Sequence, residues 1–244
     1  MAPSDPIAAL SEWLLASLAA HRAEHRAEHR AEDTGERPWL VGIVGLPGCG
    51  KSTLTAALLA ACGPLRALSV SLDDFYLEAA ERRQRGLELR GPPGTHDLVL
   101  LERFLCELDA RRSPLQVPAF DREHERRLPP RVISELPELC LFEGWFVGAP
   151  APGYERLARR LDRLVYVDLA IEQARAARLR REATLRAAGR GGMSEPEVAR
   201  FWERSLAPHF AGLVLPLRER ADVIVSLDGE HRITALRFRA TAAP

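Results

Sequence analysis

One lysine occurs in the 244 residues of this chain, and it stands in the run Gly45-Leu46-Pro47-Gly48-Cys49-Gly50-Lys51-Ser52. The spacing G-x-x-x-x-G-K-[ST] is that of a phosphate-binding loop. Backbone N–H groups converge on phosphate oxygens only if side chains are absent where the chain bends back. A helix N-terminus behind the loop adds its dipole. In such a loop Lys51 brings a compact charge to the β/γ-phosphates and the Ser52 hydroxyl ligates Mg²⁺. Trp39 to Val44 is an apolar run that reads as a buried strand feeding the loop, and Thr53 to Ala61 continue it as an apolar helix. Every other strongly basic residue is arginine, so a point charge is kept only where a planar fork would not serve.

Carboxylates follow at strand ends. Ser71-Leu72-Asp73-Asp74-Phe75-Tyr76-Leu77 closes a second strand at 66–72, where open α/β sheets place their sites. A third strand, 138–142, ends in Glu143-Gly144-Trp145, the acidic position expected to hold Mg²⁺ through water; a buried carboxylate satisfied by the first helix is the alternative. Between them lie two charged stretches. Arg90-Gly91-Pro92-Pro93-Gly94-Thr95-His96-Asp97 reads as a loop capping a helix from Leu98 to about Ala110, and 117–127 reads as a charged loop or edge segment.

The elements that must position these residues alternate. Further strands are expected at 163–169 and 222–227, with 231–238 pairing as a hairpin across Asp228-Gly229. Helices are expected at 170–189, carrying Arg175, Arg178, Arg180, Arg181 and Arg186, and from a Ser194 cap with Glu197 at capping-box spacing to about Leu213. The fold class is α/β: a P-loop NTPase, a three-layer sandwich with a mostly parallel five-stranded sheet and a small helical lid. Residues 38–240 form that one domain. Residues 1–37 precede it as a helix begun by Ser4-Asp5-Pro6 and ending in three copies of His-Arg-Ala-Glu. His21, His25 and His29 would line one face, as a metal-binding row or, more simply, as a solvated extension with Glu/Arg pairs; Asp33 to Arg37 form a linker.

Composition narrows the function. Formal net charge is zero, which argues against a nucleic-acid partner. The four cysteines show no metal spacing, and three sit in apolar patterns, as in a reducing cytoplasm. No apolar run is long enough to span a membrane and no export signal is read, so a cytoplasmic protein is expected. A GTPase would need Asn-Lys-x-Asp, yet the chain has no asparagine.

Taken together, Ser71 to Leu77, Arg90 to Asp97, Pro118-Ala119-Phe120-Asp121 and Leu141 to Trp145, with Met193 to Val198, resemble the successive blocks of the D-glycerate 3-kinase family. That family lies within the superfamily of phosphoribulokinase, uridine kinase and pantothenate kinase. The resemblance implies transfer of the γ-phosphate of ATP, with Mg²⁺, to a hydroxyl of a small molecule. Asp73 aligns with the superfamily's catalytic aspartate. Arg178, Arg181 and Arg186 resemble lid arginines. Mg²⁺ would be held by Ser52, Asp73 and Glu143, and the acceptor by Asp74, Tyr76, Arg90, His96, Asp97, Asp121, Arg122 and His124. Two departures bear on the acceptor: a short interval after Glu143, and Ala119-Phe120-Asp121-Arg122 where relatives carry Arg/Lys-Tyr/Phe-Asp-Lys. The arginines of the two loops favour a hydroxy-acid anion such as D-glycerate, since an arginine fork fixes a carboxylate. Uridine or cytidine would want a flat slot and pantothenate a longer apolar groove. A non-catalytic nucleotide-binding adaptor is the expectation of another class. The assembly is read as a monomer or homodimer.

Overall fold

A computed structural model describes residues 5–28 and 37–239 of the chain. Helix α1 (Pro6–Glu28) begins at the expected signal, with Asp5 accepting a hydrogen bond from the Ile7 N–H. Its Leu10, Leu14 and Leu18 recur at helical spacing and are buried in the common core. The His21 ring lies 6.5 Å from that of Trp39, centroid to centroid. His29, the side chain of His25 and most of the expected linker lie outside the described residues.

The chain continues through β1 (Trp39–Gly45), α2 (Lys51–Ala61), β2 (Ala67–Ser71), α3 (Ala79–Gln84), α4 (Leu98–Asp109), β3 (Leu115–Asp121), β4 (Arg126–Ile133) and β5 (Leu139–Gly144). It closes with α5 (Glu155–Arg160), β6 (Arg163–Asp168), α6 (Ile171–Ala187), α7 (Glu195–Phe201), α8 (Ala207–His209), α9 (Leu217–Arg220), β7 (Val223–Leu227) and β8 (Ile233–Phe238). The main sheet has the order β2-β5-β1-β6-β7-β8; β8 returns antiparallel on β7, and the other neighbours pair in parallel. Strands β1 and β5 are buried along their whole length, as apolar runs covered on both faces must be. Phe75, in the single 3₁₀ turn Leu72–Phe75 after β2, packs on Phe104 of α4 at 5.6 Å and on Phe142 of β5 at 5.9 Å. Each such ring contributes about 1.5–3 kcal/mol by burial, which fixes the turn carrying Asp73 and Asp74 to the sheet.

Two expectations need correction, and one alternative is decided. The main sheet has six strands, not five, because β8 joins it through its hairpin on β7. Of the readings of 117–127 the edge segment holds: β3 and β4 pair antiparallel as a separate two-stranded sheet, with the turn at 122–125. Strand β4 has two prolines and exposed side chains along most of its length, so alternation could not reveal it; proline is tolerated because the strand lies at an edge. The helix capped by Ser194 is regular only to Phe201, after which wide π turns at Trp202–Leu206 and Phe210–Val214 flank Pro208. Proline has no N–H to continue the ladder, and the wider turns absorb the fault. The cap itself forms, with the Glu197 carboxylate accepting from the Ser194 N–H at 2.7 Å.

Candidate active site

The phosphate loop leaves β1 and enters α2. Gly48 has φ +89°, and a Cβ there would lie 2.5 Å from the Ala174 carbonyl oxygen of α6, so only glycine fits. The Lys51 ammonium donates to the carbonyls of Gly45 and Leu46, both at 2.9 Å. Leu46 and Cys49 turn their side chains into the core, leaving backbone to face a phosphate. His231, on the turn between β7 and β8, donates from Nε2 to the Gly48 carbonyl at 2.8 Å. No sequence pattern singled out His231; only its place after the Asp228-Gly229 turn hints at it.

Sheet register assembles the acidic side. Ser71 of β2 and Ile43 of β1 flank Glu143 of β5. The Ser71 and Ser52 hydroxyls both donate to Oε1 of Glu143, at 2.7 and 3.2 Å. These are hard oxygen donors. Among the described residues no cluster of three His, Cys, Asp or Glu side chains could hold a metal alone. The oxygen donors of Ser52 and Glu143 suit Mg²⁺, which takes water and phosphate oxygens as its other ligands.

Asp73 lies on the turn after β2. Tyr76 donates its hydroxyl to Oδ1 at 2.9 Å, and Arg122 Nε stands 3.7 Å from Oδ2. Burial pushes the Asp73 carboxyl up, but Arg122 and the Tyr76 hydroxyl help to outweigh it and hold the group below the usual carboxylate range. Asp74 differs: burial, with Asp73 alongside, raises it to about 6 against the pull of Arg122. The Phe120 N–H of β3 is near enough to pull the group down slightly.

A cavity of about 960 Å³ is lined by the phosphate loop, Asp73, Tyr76, Arg90, Asp121, Arg122, Glu143, Arg178 and Arg181. Four expected acceptor residues are not on its wall. His96 is buried behind Tyr76. Asp97 caps α4 by accepting from the Leu100 N–H at 2.9 Å, and pairs with Arg127 at 2.7 Å. His124 turns outward onto Asp121, 2.7 Å away, and Asp74 faces β3. Arg90 is on the wall but paired with Glu125 at 2.5 Å. Arg178 lies 2.7 Å from Glu182 and over the Phe201 ring. Burial, then Arg178 and Arg122, push the Arg181 guanidinium down, the mark of cations gathered around an anion's place. Arg186 is not on the wall, while Arg190 and Met193, from the Gly-rich stretch before α7, are.

The model of the Phosphoribulokinase / Uridine kinase family matches residues 40–234. The chain belongs to that family. The relatives it resembles are kinases, and this chain is an ATP-dependent small-molecule kinase of the same family. It is 28% identical over 231 residues to a pantothenate kinase of Xanthobacter autotrophicus, covering 84% of this chain and 72% of that protein. It is 31% identical over 218 residues to the chloroplastic D-glycerate 3-kinase of Arabidopsis thaliana, covering 72% of this chain and 48% of that protein. The kinase therefore spans about half the length of that relative. Among solved structures, D-glycerate 3-kinase of Cryptococcus neoformans shares the fold with a TM-score of 0.78 at 21% identity, over 96% of this chain and 99% of that one. Phosphoribulokinase of Rhodobacter spheroides shares it with a TM-score of 0.58 at 13% identity, over 86% and 82%. Among the described residues of this kinase no helix is long and apolar enough to cross a membrane.

Proposed function

We propose that this kinase phosphorylates a hydroxyl of a small hydroxy-acid anion, with D-glycerate the favoured acceptor. The observation that carries the reading is Arg122. It stands on the cavity wall with its Nε 3.7 Å from Asp73 Oδ2 and its Nη2 making only a 3.4 Å bond to the Ser71 hydroxyl. A guanidinium beside the base matches an acceptor whose carboxylate lies close to its reacting hydroxyl. Asp73 orients that hydroxyl and takes its proton. The hydroxyl oxygen bonds to the γ-phosphorus as the bond to the β–γ bridging oxygen breaks, and ADP leaves with that electron pair. Lys51, Arg178 and Arg181 bear the charge on the transferring group. Ser52, Asp73 and Glu143 would hold Mg²⁺, which neutralises phosphate oxygens when bound. A neighbouring groove lined by Ala177, Arg180, Gly229, Glu230 and His231 shares Ala177 and His231 with the cavity and would take the nucleobase end of ATP.

The similarity to a D-glycerate 3-kinase supports this acceptor. One observation favours a second reading. Leu89 and Leu128 are 41% and 42% exposed and stand on the cavity wall, an apolar surface that suits a longer acceptor such as pantothenate. ADP release by the purified protein, measured with D-glycerate, pantothenate, uridine, cytidine and ribulose 5-phosphate, separates them. Turnover of D-glycerate is the expected result. Turnover of uridine or pantothenate with none of D-glycerate overturns it, and ATP binding with no ADP released by any of the five overturns it too, placing the acceptor outside this panel.

A further inference from the structure

Resting on the reading of Asp73 as the acceptor-side base, we infer that His96 and Tyr154 are positioning residues for phosphoryl transfer, holding Tyr76 so that Tyr76 holds the Asp73 carboxylate. The loop Arg90 to Asp97 has the look of a substrate loop, yet its last residues grip the catalytic turn instead. Leu77 N–H donates to Thr95 O at 3.0 Å, Asp97 N–H donates to Phe75 O at 2.7 Å, and Tyr76 and His96 form an isolated antiparallel bridge. The grip lays the His96 ring flat on Tyr76, with centroids 4.4 Å apart and planes 19° from parallel. His96 is 1% exposed.

Tyr154, just before α5, fixes that ring. Its hydroxyl oxygen accepts from the Gly94 N–H at 3.2 Å and lies 2.8 Å from His96 Nδ1. Among the described residues the Tyr154 hydroxyl has no acceptor other than Nδ1, so its proton goes there, and His96 carries its own proton on Nε2. Nε2 has no partner among the described residues, so the Tyr154 bond is the polar restraint on the ring's rotation. Phe146 closes the pocket edge-on against both rings, at 5.7 Å from His96 and 4.9 Å from Tyr154. Asp73 is thereby held on both oxygens, by the Tyr76 hydroxyl on Oδ1 and by Arg122 across from Oδ2. Neither His96 nor Tyr154 lines the cavity, and Tyr76 is the residue that both stacks on His96 and bonds Asp73.

Tyr154→Phe keeps the ring and deletes the restraint; Tyr76→Phe keeps the stack and deletes the contact to Asp73. With ATP and D-glycerate, or with whichever acceptor of the panel wild type turns over, Tyr154→Phe is expected to lower kcat about tenfold, since small misplacements of a reacting group are costly. The KM for ATP should stay within about twofold, the pattern of a loss confined to the transition state. In the Tyr76→Phe background the Tyr154→Phe change should add nothing further. A wild-type kcat in Tyr154→Phe, or an undiminished effect in the double variant, overturns the inference. ¹⁵N spectra of the His96 ring in the free protein need no acceptor: the Nε2-protonated tautomer is expected in wild type and a mixture in Tyr154→Phe, and an unaltered ring in the variant also overturns it. Asp73→Asn tests the underlying reading separately. Wild-type turnover there removes Asp73 as base, whatever the ring spectra show.

Discussion

The ammonium of Lys51 is bonded to the carbonyl oxygen of Gly45, 2.9 Å away, in the very loop that it serves. With Leu46 O at the same distance, two neutral acceptors stand where phosphate oxygens will take over. A guanidinium is too broad to make that exchange between phosphates. Lys51→Arg is expected to fold, with an unchanged circular dichroism spectrum and Tm, and to turn over at less than about a tenth of the wild-type kcat. Retention of more than that would show that the charge, not its compact shape, is what matters.

Arg122→Ala should raise the acceptor KM by about tenfold or more, in line with the ~1.5–3 kcal/mol of a hydrogen bond to a charged group. ATP affinity, read by calorimetry, should barely move. An acceptor KM at the wild-type value would place the carboxylate elsewhere.

The two neighbouring aspartates should separate cleanly. Asp73→Asn is expected to lower kcat by about 10²-fold with little change in ATP affinity. Asp74, turned toward β3 and the Phe120 N–H, is expected to affect stability or acceptor KM instead. A reversed pattern in steady-state kinetics would exchange their roles.

Glu143 collects the hydroxyls of Ser52 and Ser71 on one oxygen. Glu143→Gln keeps the shape and removes the charge, so the Mg²⁺ concentration giving half-maximal rate should rise about 10- to 100-fold, as for other groups that orient a metal's ligands. An unchanged Mg²⁺ titration would contradict this role, and chelation of Mg²⁺ by EDTA should abolish turnover in wild type.

His96 predicts a pH window. Burial pushes it down from 6.5 to about 4, against the opposing pull of Asp73. The unfolded chain takes up this proton near 6.5 and the folded chain only near 4, so stability is whole above pH 6.5 and falls as the pH drops between those values. The full loss from this one group is about 3 kcal/mol, at about 1.4 kcal/mol per pH unit. Asp74, raised to about 6, adds stability over the lower part of the same range and offsets this loss, so the His96 share is read as the difference between wild type and His96→Gln in urea unfolding at pH 7, 5.5 and 4.

Much of the nucleotide side was legible because phosphate binding is local. Gly45 to Ser52 are consecutive, and their backbone shape depends on their own residue types. Asp73 and Glu143 were legible as carboxylates at the ends of apolar runs. The acceptor side was less so, because residue type places a side chain on a loop without giving its direction. His96, Asp97 and His124 were read on the correct loops, yet one is stacked behind a tyrosine, one caps a helix and one turns outward. Strand β4 escaped notice because its partner, β3, lies across a turn and its own prolines argue against a strand.

The separation of the β3–β4 sheet from the main sheet has an evolutionary consequence. Arg122 and Asp121 reach the cavity from the tip of a hairpin, while Lys51, Ser52 and Glu143 are set by the six-stranded frame. Substitutions at that tip can accumulate without disturbing the register that aligns Ser71 with Glu143. On the acceptor role proposed for Arg122, a lineage built this way can change what it phosphorylates by drift in one hairpin while inheriting its phosphate donor intact. For the same reason, grafting the tip from a relative with another acceptor is the most economical route to a re-targeted enzyme.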